Sequence, residues 1–158
     1  MLNKINKAVL GVLVAGSLAM SARAQNDVYA VEFNTGNNRF GIINLMNGSF
    51  TEIASLGSTL YNDIAYSPDG TMYGLANNGA SLVTFDKTDG TVTPVASMTV
   101  PGLESIAYAP DGTLFGAAQS GLYAINPTTG ASSYIGSFGN PYNLNLAQNI
   151  RFDSDGNL

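Results

Sequence analysis

Neither histidine nor cysteine occurs anywhere in the 158 residues. That removes the thiolate nucleophile, the Ser-His-Asp relay and any Cys/His zinc centre. What remains for chemistry is oxygen, from carboxylates, side-chain amides and phenols. Such oxygens recur at three places, Asn62-Asp63, Glu104-Ser105 and Gln148-Asn149, each at the head of an apolar stretch. Gathered around one opening, they would suit a hard cation such as Ca²⁺, which takes about six to eight oxygen ligands. Glu104 is then the foremost metal ligand, with Asp63 and Asn149 behind it, while Asn62 and Gln148 are ligand-binding groups of the same opening. The alternative is that these polar groups only solvate the entrance and cap the strands. Tyr142 and Asn143 lie in the longest loop, Gly139–Ala147, where a rim of Asn and Tyr could contact sugar or peptide. No catalytic residue can be assigned, because no nucleophile elbow, phosphate loop or dinucleotide fingerprint is present. Asp63 and Glu104, on adjacent units, are a pair of acids that could meet the geometry of glycoside hydrolysis, and nothing in the sequence argues that they do so.

The elements that must position these residues come from a repeat. Asn62 opens NDIAYSPDGTMYGLA, Glu104 opens ESIAYAPDGTLFGAA, and Gln148 opens QNIRFDSDGNL. A second marker runs in phase: NLMNG ending at Gly48, DKTDG at Gly90 and NPTTG at Gly130. Each unit reads as four short strands. In the best-defined unit these are Asp63–Ser67, Thr71–Ala76, Ser81–Asp86 and Thr91–Ser97. Pro68-Asp69-Gly70 turns the first strand into the second, since Gly accepts positive φ and Asp bonds the backbone of its own turn. Asp89-Gly90 serves the last pair in the same way. The first two strands are apolar at nearly every residue, as expected of strands covered on both faces. Asp153-Ser154-Asp155-Gly156 looks like part of a calcium loop, but it stands in the SPDG slot and reads as another turn.

Four antiparallel strands recurring about every 42 residues predict an all-β fold, a β-propeller of four-stranded blades, here incomplete. The expected layout is a leader at 1–24 and propeller repeats at 25–158. Within the latter lie a partial blade at 28–56, blades at 60–98 and 102–138, and the start of a further blade at 147–158. The partial blade lacks its innermost strand, which a C-terminal strand would supply in many propellers. A fragment of a longer protein is therefore expected, with closure by self-association the alternative. The innermost strands line a central channel, and its mouth is the opening at which Asn62, Glu104 and Gln148 sit.

The run Pro101–Gly116, PGLESIAYAPDGTLFG, resembles the blade pattern of NHL-type repeats and of regucalcin/gluconolactonase-like (SMP-30-like) and strictosidine-synthase-like propellers. The resemblance spans Asp27 to the end. It departs in one respect, since Gly74-Leu75-Ala76 and Gly116-Ala117-Ala118 lack the acid that often ends the second strand. The regucalcin-like resemblance implies a metal at the channel mouth. It also implies a competing activity, that of a Ca²⁺-dependent lactonase or esterase whose metal polarises a carbonyl and activates water.

The first residues are of a different kind. Lys4 and Lys7 precede an apolar run from Ala8 to Met20, which ends in Ala22-Arg23-Ala24. This is the order of a secretory signal peptide, with cleavage before Gln25. The run is shorter than the roughly 20 residues that cross a bilayer, so no membrane insertion is expected after cleavage. The mature chain would keep Arg39, Lys87 and Arg151 against eleven acidic residues. Such a surface repels phosphate backbones and makes nucleic acid a poor partner. The expected protein is secreted, periplasmic or on the cell surface, and binds an unknown ligand, protein or glycan.

Overall fold

The structure, a computed structural model, describes residues 27–118, 121–139 and 149–158. Eleven antiparallel strands form three sheets among them, and the fold is an incomplete all-β propeller. The first sheet holds β1 (Asp27–Glu32), β2 (Asn38–Asn44) and β3 (Phe50–Gly57) in that order. The second holds β4 (Tyr61–Tyr66), β5 (Met72–Ala76), β6 (Ser81–Phe85) and β7 (Val92–Ser97). The third repeats it with β8 (Leu103–Tyr108), β9 (Leu114–Ala118), β10 (Gly121–Ile125) and β11 (Ser132–Ser137).

Turn chemistry sets this meander. Three successive inner turns share one geometry: Gly70, Gly112 and Gly156 each donate their N–H to the carbonyl three residues back, at 2.9 to 3.1 Å. Asp153–Gly156 is therefore the same turn as its two predecessors. The outer turns match as well. Gly48, Gly90 and Gly130 donate to Asn44, Asp86 and Asn126, whose side chains also accept the N–H two residues on. Gly130 (φ +72°) is fixed twice over: its backbone is left-handed, and a Cβ there would run into the Ser97 carbonyl of the preceding sheet.

Packing explains why the inner strands are apolar throughout. One face of the second sheet, with Tyr61, Ile64, Met72, Val83 and Phe85, buries against Val31 and Phe40 of the first. Its other face, with Ala65, Leu75 and Leu82, buries against Leu103, Ile106, Leu114 and Ile125 of the third. Successive residues of β5 thus point into two different interfaces. An aromatic pair marks each junction. Tyr29 meets Tyr66 (6.4 Å between centroids), Tyr73 meets Tyr108 (5.3 Å), and Phe115 meets Phe152 (5.5 Å).

The third pair shows that residues 149–152 stand where the next inner strand belongs. Ile150 is buried against Ala107 and Ala117, although among the described residues this segment pairs with no strand. At the other end, β1 pairs with β2 alone among the described residues.

Candidate functional site

The expected strand start at Asp63 shifts to Tyr61, and the shift matters for the site. Tyr61 pairs with Ala76 and Asp63 with Leu75, so Asn62 is an extra residue, a β-bulge. The third sheet repeats the irregularity: Leu103 pairs with Ala118 and Ser105 with Ala117, leaving Glu104 as the bulged residue. Bulges re-aim side chains and occur often beside functional sites. Here they break the in-out alternation, so that Asn62 and Asp63 both reach toward the following sheet. Asn62 Nδ2 donates to the Leu103 carbonyl and to Glu104 Oε2, each at 3.2 Å. Both side chains of this pair are half-buried and face one another across neighbouring units.

One step along each strand the surroundings become dry. Asp63 and Ser105 are fully buried. Asp63 Oδ1 accepts from its neighbour's backbone, Ile64 N, at 2.8 Å and from Arg151 Nη2 at 2.7 Å. Oδ2 accepts from Ile106 N and Arg151 Nη1, both at 2.9 Å, and from the Ser105 hydroxyl. Ser105 Oγ in turn accepts from Ile150 N at 3.0 Å. Arg151 Nη1 also donates to the Ile150 and Ile106 carbonyls, at 2.6 and 3.2 Å. Among the described residues no buried side-chain nitrogen or oxygen lacks a partner.

This arrangement bears directly on the metal reading. A two-pronged guanidinium sits on Asp63, and a divalent cation at the same carboxylate would face both its charge and its claim on the oxygens. The donor set at Asp63 therefore does not fit Ca²⁺ while Arg151 is in place. The half-buried Glu104 carboxylate accepts from Asn62 among the described residues. Asn149 is exposed on the segment beyond the third sheet. No three acidic, His or Cys side chains gather among the described residues. Gln148, Tyr142 and Asn143 lie outside the described residues.

The opposite ends of the inner strands carry Tyr66 and Tyr108. Burial, with the neighbouring phenols of Tyr29 and Tyr73 adding to it, pushes both above the ordinary phenol range. They are neutral at physiological pH and act as packing groups. Sequence reasoning missed Arg151 as a site residue. The signal was present, because Arg151 fills the slot of Ala65 and Ala107 in otherwise matching runs, and a charge in an apolar slot needs a partner.

Comparison with known proteins bears on the repeat and the fold. A family described as a repeat of unknown function (DUF6923) matches residues 7–109. No protein of curated function matches the chain. Among solved structures, a gluconolactonase from Xanthomonas campestris is similar at 17% identity and a TM-score of 0.60, over 84% of this chain and 49% of that one. TolB from Acinetobacter baumannii is similar at 13% identity and 0.54, over 81% of this chain and 33% of its own. An extracellular domain from B. thetaiotaomicron is similar at 19% identity and 0.52, over 85% of this chain and 19% of its own. The chain thus spans half or less of each of these structures, and at such identities the likeness is one of fold.

Proposed function

Because the chain belongs to the DUF6923 repeat family, we propose that it is an exported binding or interaction module of β-propeller type. Its contact surface is the axial rim built on Asn62 and Glu104. The observation that supports this is the repeated bulge. Two neighbouring inner strands each interrupt their ladder at the same position, and the two bulged side chains, Asn62 and Glu104, meet at 3.2 Å. A ladder gives up regular pairing there, and what it gains is an amide and a carboxylate with spare hydrogen-bonding capacity.

The partner is a polar ligand, a glycan or a peptide, that donates to Glu104 and to the amide oxygen of Asn62, whose two N–H groups already serve Leu103 and Glu104. Gln148, Tyr142 and Asn143, outside the described residues, belong to the same proposal as ligand-binding groups. Kinship with NHL-type and regucalcin-like (SMP-30-like) blades belongs to the same proposal. So does export, for which the leader at 1–24 is the support. Among the described residues no helix is long and apolar enough to cross a membrane.

Glycan and peptide arrays, followed by calorimetry on the best ligand, test the reading. Glu104→Gln and Asn62→Ala should each weaken binding by roughly tenfold, the worth of one hydrogen bond to a charged group. Melting should stay unchanged for Glu104→Gln and fall by a few degrees, about the cost of one lost bond, for Asn62→Ala, which also gives up the bond to the Leu103 carbonyl. Ligands that bind both variants as tightly as the unaltered chain would remove the rim from the proposal. A Ca²⁺ titration forms the second arm. A rise in melting temperature that Glu104→Gln abolishes would favour the metal-dependent hydrolase instead. The N-terminus of exported material should be Gln25.

A further inference from the structure

The buried polar groups at the axis form a relay that steps from unit to unit in constant register. Asp63 accepts from the amide of Ile106, one unit on. Ser105, which holds the place of Asp63 one unit later, accepts from the amide of Ile150, again one unit on. In each case the second position of an inner segment receives the N–H of the isoleucine in the following one. This much couples nearest neighbours, as in any stacked repeat.

Asp63 departs from the pattern by carrying a full charge with no exposure to solvent. Its amide and hydroxyl donors are neutral, and a buried carboxylate without a counter-charge is strongly disfavoured. The counter-charge comes from Arg151, 88 residues along the chain. That residue lies beyond the third sheet, in the inner segment two units after β4. Of the three cationic residues at 27–158, Arg39 is bound to Glu32 and Glu52, and Lys87 lies over the Tyr66 ring and donates to the Gly70 carbonyl.

We infer that Asp63 and Arg151 form an assembly lock that joins the inner strand β4 to the inner segment two places along, residues 149–152. The inner strand of the second sheet is electrostatically complete only when residues 149–152 have docked on the third. The three inner segments therefore form one cooperative block instead of a chain of independent junctions. The lock also reads order. A segment carrying alanine in the Arg151 slot, as β4 and β8 do with Ala65 and Ala107, would leave Asp63 unpaired if it docked in that position.

Denaturant unfolding and amide exchange on the full chain test this. Arg151→Met should lower the folding equilibrium constant by about a hundredfold, because it strands a buried charge. Asp63→Asn combined with Arg151→Met should recover most of that loss, since the neutral amide oxygen still accepts from Ile106. A double variant no more stable than Arg151→Met would overturn the lock, as would effects that simply add. In the unaltered chain the Ile106 and Ile150 amides should exchange with the same opening free energy. Ile150 exchanging a hundredfold faster than Ile106 would equally overturn it, and this measurement needs no variant to fold.

Discussion

Arg39 and Arg151 both hold carboxylates, one at the outside of the arc and one at its axis. Arg39 projects from β2, pairs with Glu32 and Glu52 on the flanking strands, and lies over the Phe50 ring. Its partners are close in the same sheet, and their side chains are 20% and 40% exposed. Arg151 reaches a carboxylate that is 0% exposed and belongs to another sheet. The outer pairs decorate a sheet that its ladder already holds, whereas the inner pair joins segments that share no ladder. A charge at the surface has water as its alternative partner, and a charge at the axis has none. The comparison teaches that an ion pair's worth depends on what its members would face if parted.

The largest expected contrast lies between the two arginines themselves. Arg151→Met should destabilise the chain by about 3 kcal/mol, at the low end for a broken buried pair because the arginine keeps some contact with solvent. Denaturant melts followed by tyrosine fluorescence would measure it. A cost below about 1 kcal/mol would place Arg151 in the same class as Arg39, and the contrast between axis and surface would vanish.

Next in size is the aromatic junction that carries Arg151 into place. Phe152 packs at a tilt against Phe115 as Tyr108 does against Tyr73. Phe152→Leu keeps apolar bulk and removes the ring pair, for an expected loss of about 1 kcal/mol. If residues 149–152 belong to the inner block, amide exchange at Ile106 should accelerate with it. Unaltered Ile106 protection would separate the segment from the block.

The blade pattern was legible in the sequence because each unit repeats its turn residues and its apolar runs. Asp69 and Asp111 read as turn formers and are so, each accepting the N–H two residues on. The bulges were not legible. Nothing in the spacing of Asn62 or Glu104 distinguishes an extra residue from one in register, and the strand was expected to start two residues late for that reason. Polarity at a strand head makes Asp63 look like a candidate metal ligand at a rim position. Its burial follows from the bulge and from a partner 88 residues away, and periodic reasoning does not connect slots two units apart.

A smaller, collective effect belongs to the carboxylates of the turns. Hydrogen bonds from Ser67 and Thr71 hold Asp69 below the usual carboxylate range, and bonds from Thr113 do the same for Asp111. Thr88 lowers Asp86, and Asn157 lowers Asp153. Each folded-state pKa lies below the unfolded value of about 3.9. Their stabilisation is therefore fully present above about pH 5 and is lost as pH falls through the depressed values. Melting temperature should hold between pH 7 and 5 and drop below pH 4. Asp111→Asn should shrink that drop, and a drop of unchanged size would assign the acid sensitivity elsewhere.

The smallest effect is predicted for Arg39→Met, and it is the most exacting check on the comparison. Glu32 and Glu52 bind this guanidinium and raise its already high pKa, so geometry alone would suggest a strong interaction. Removing Arg39 leaves two carboxylates that water can solvate, and the β1–β2–β3 ladder survives intact. The melting temperature should move by no more than about 2 °C. That shift should disappear at about 1 M salt, where screening acts within roughly 3 Å. The Arg151→Met deficit should persist at the same salt, because its origin is a desolvated charge that mobile ions do not reach. Equal salt sensitivity in the two variants would mean that the axial pair is wet, and the distinction between the two arginines would then be one of position alone.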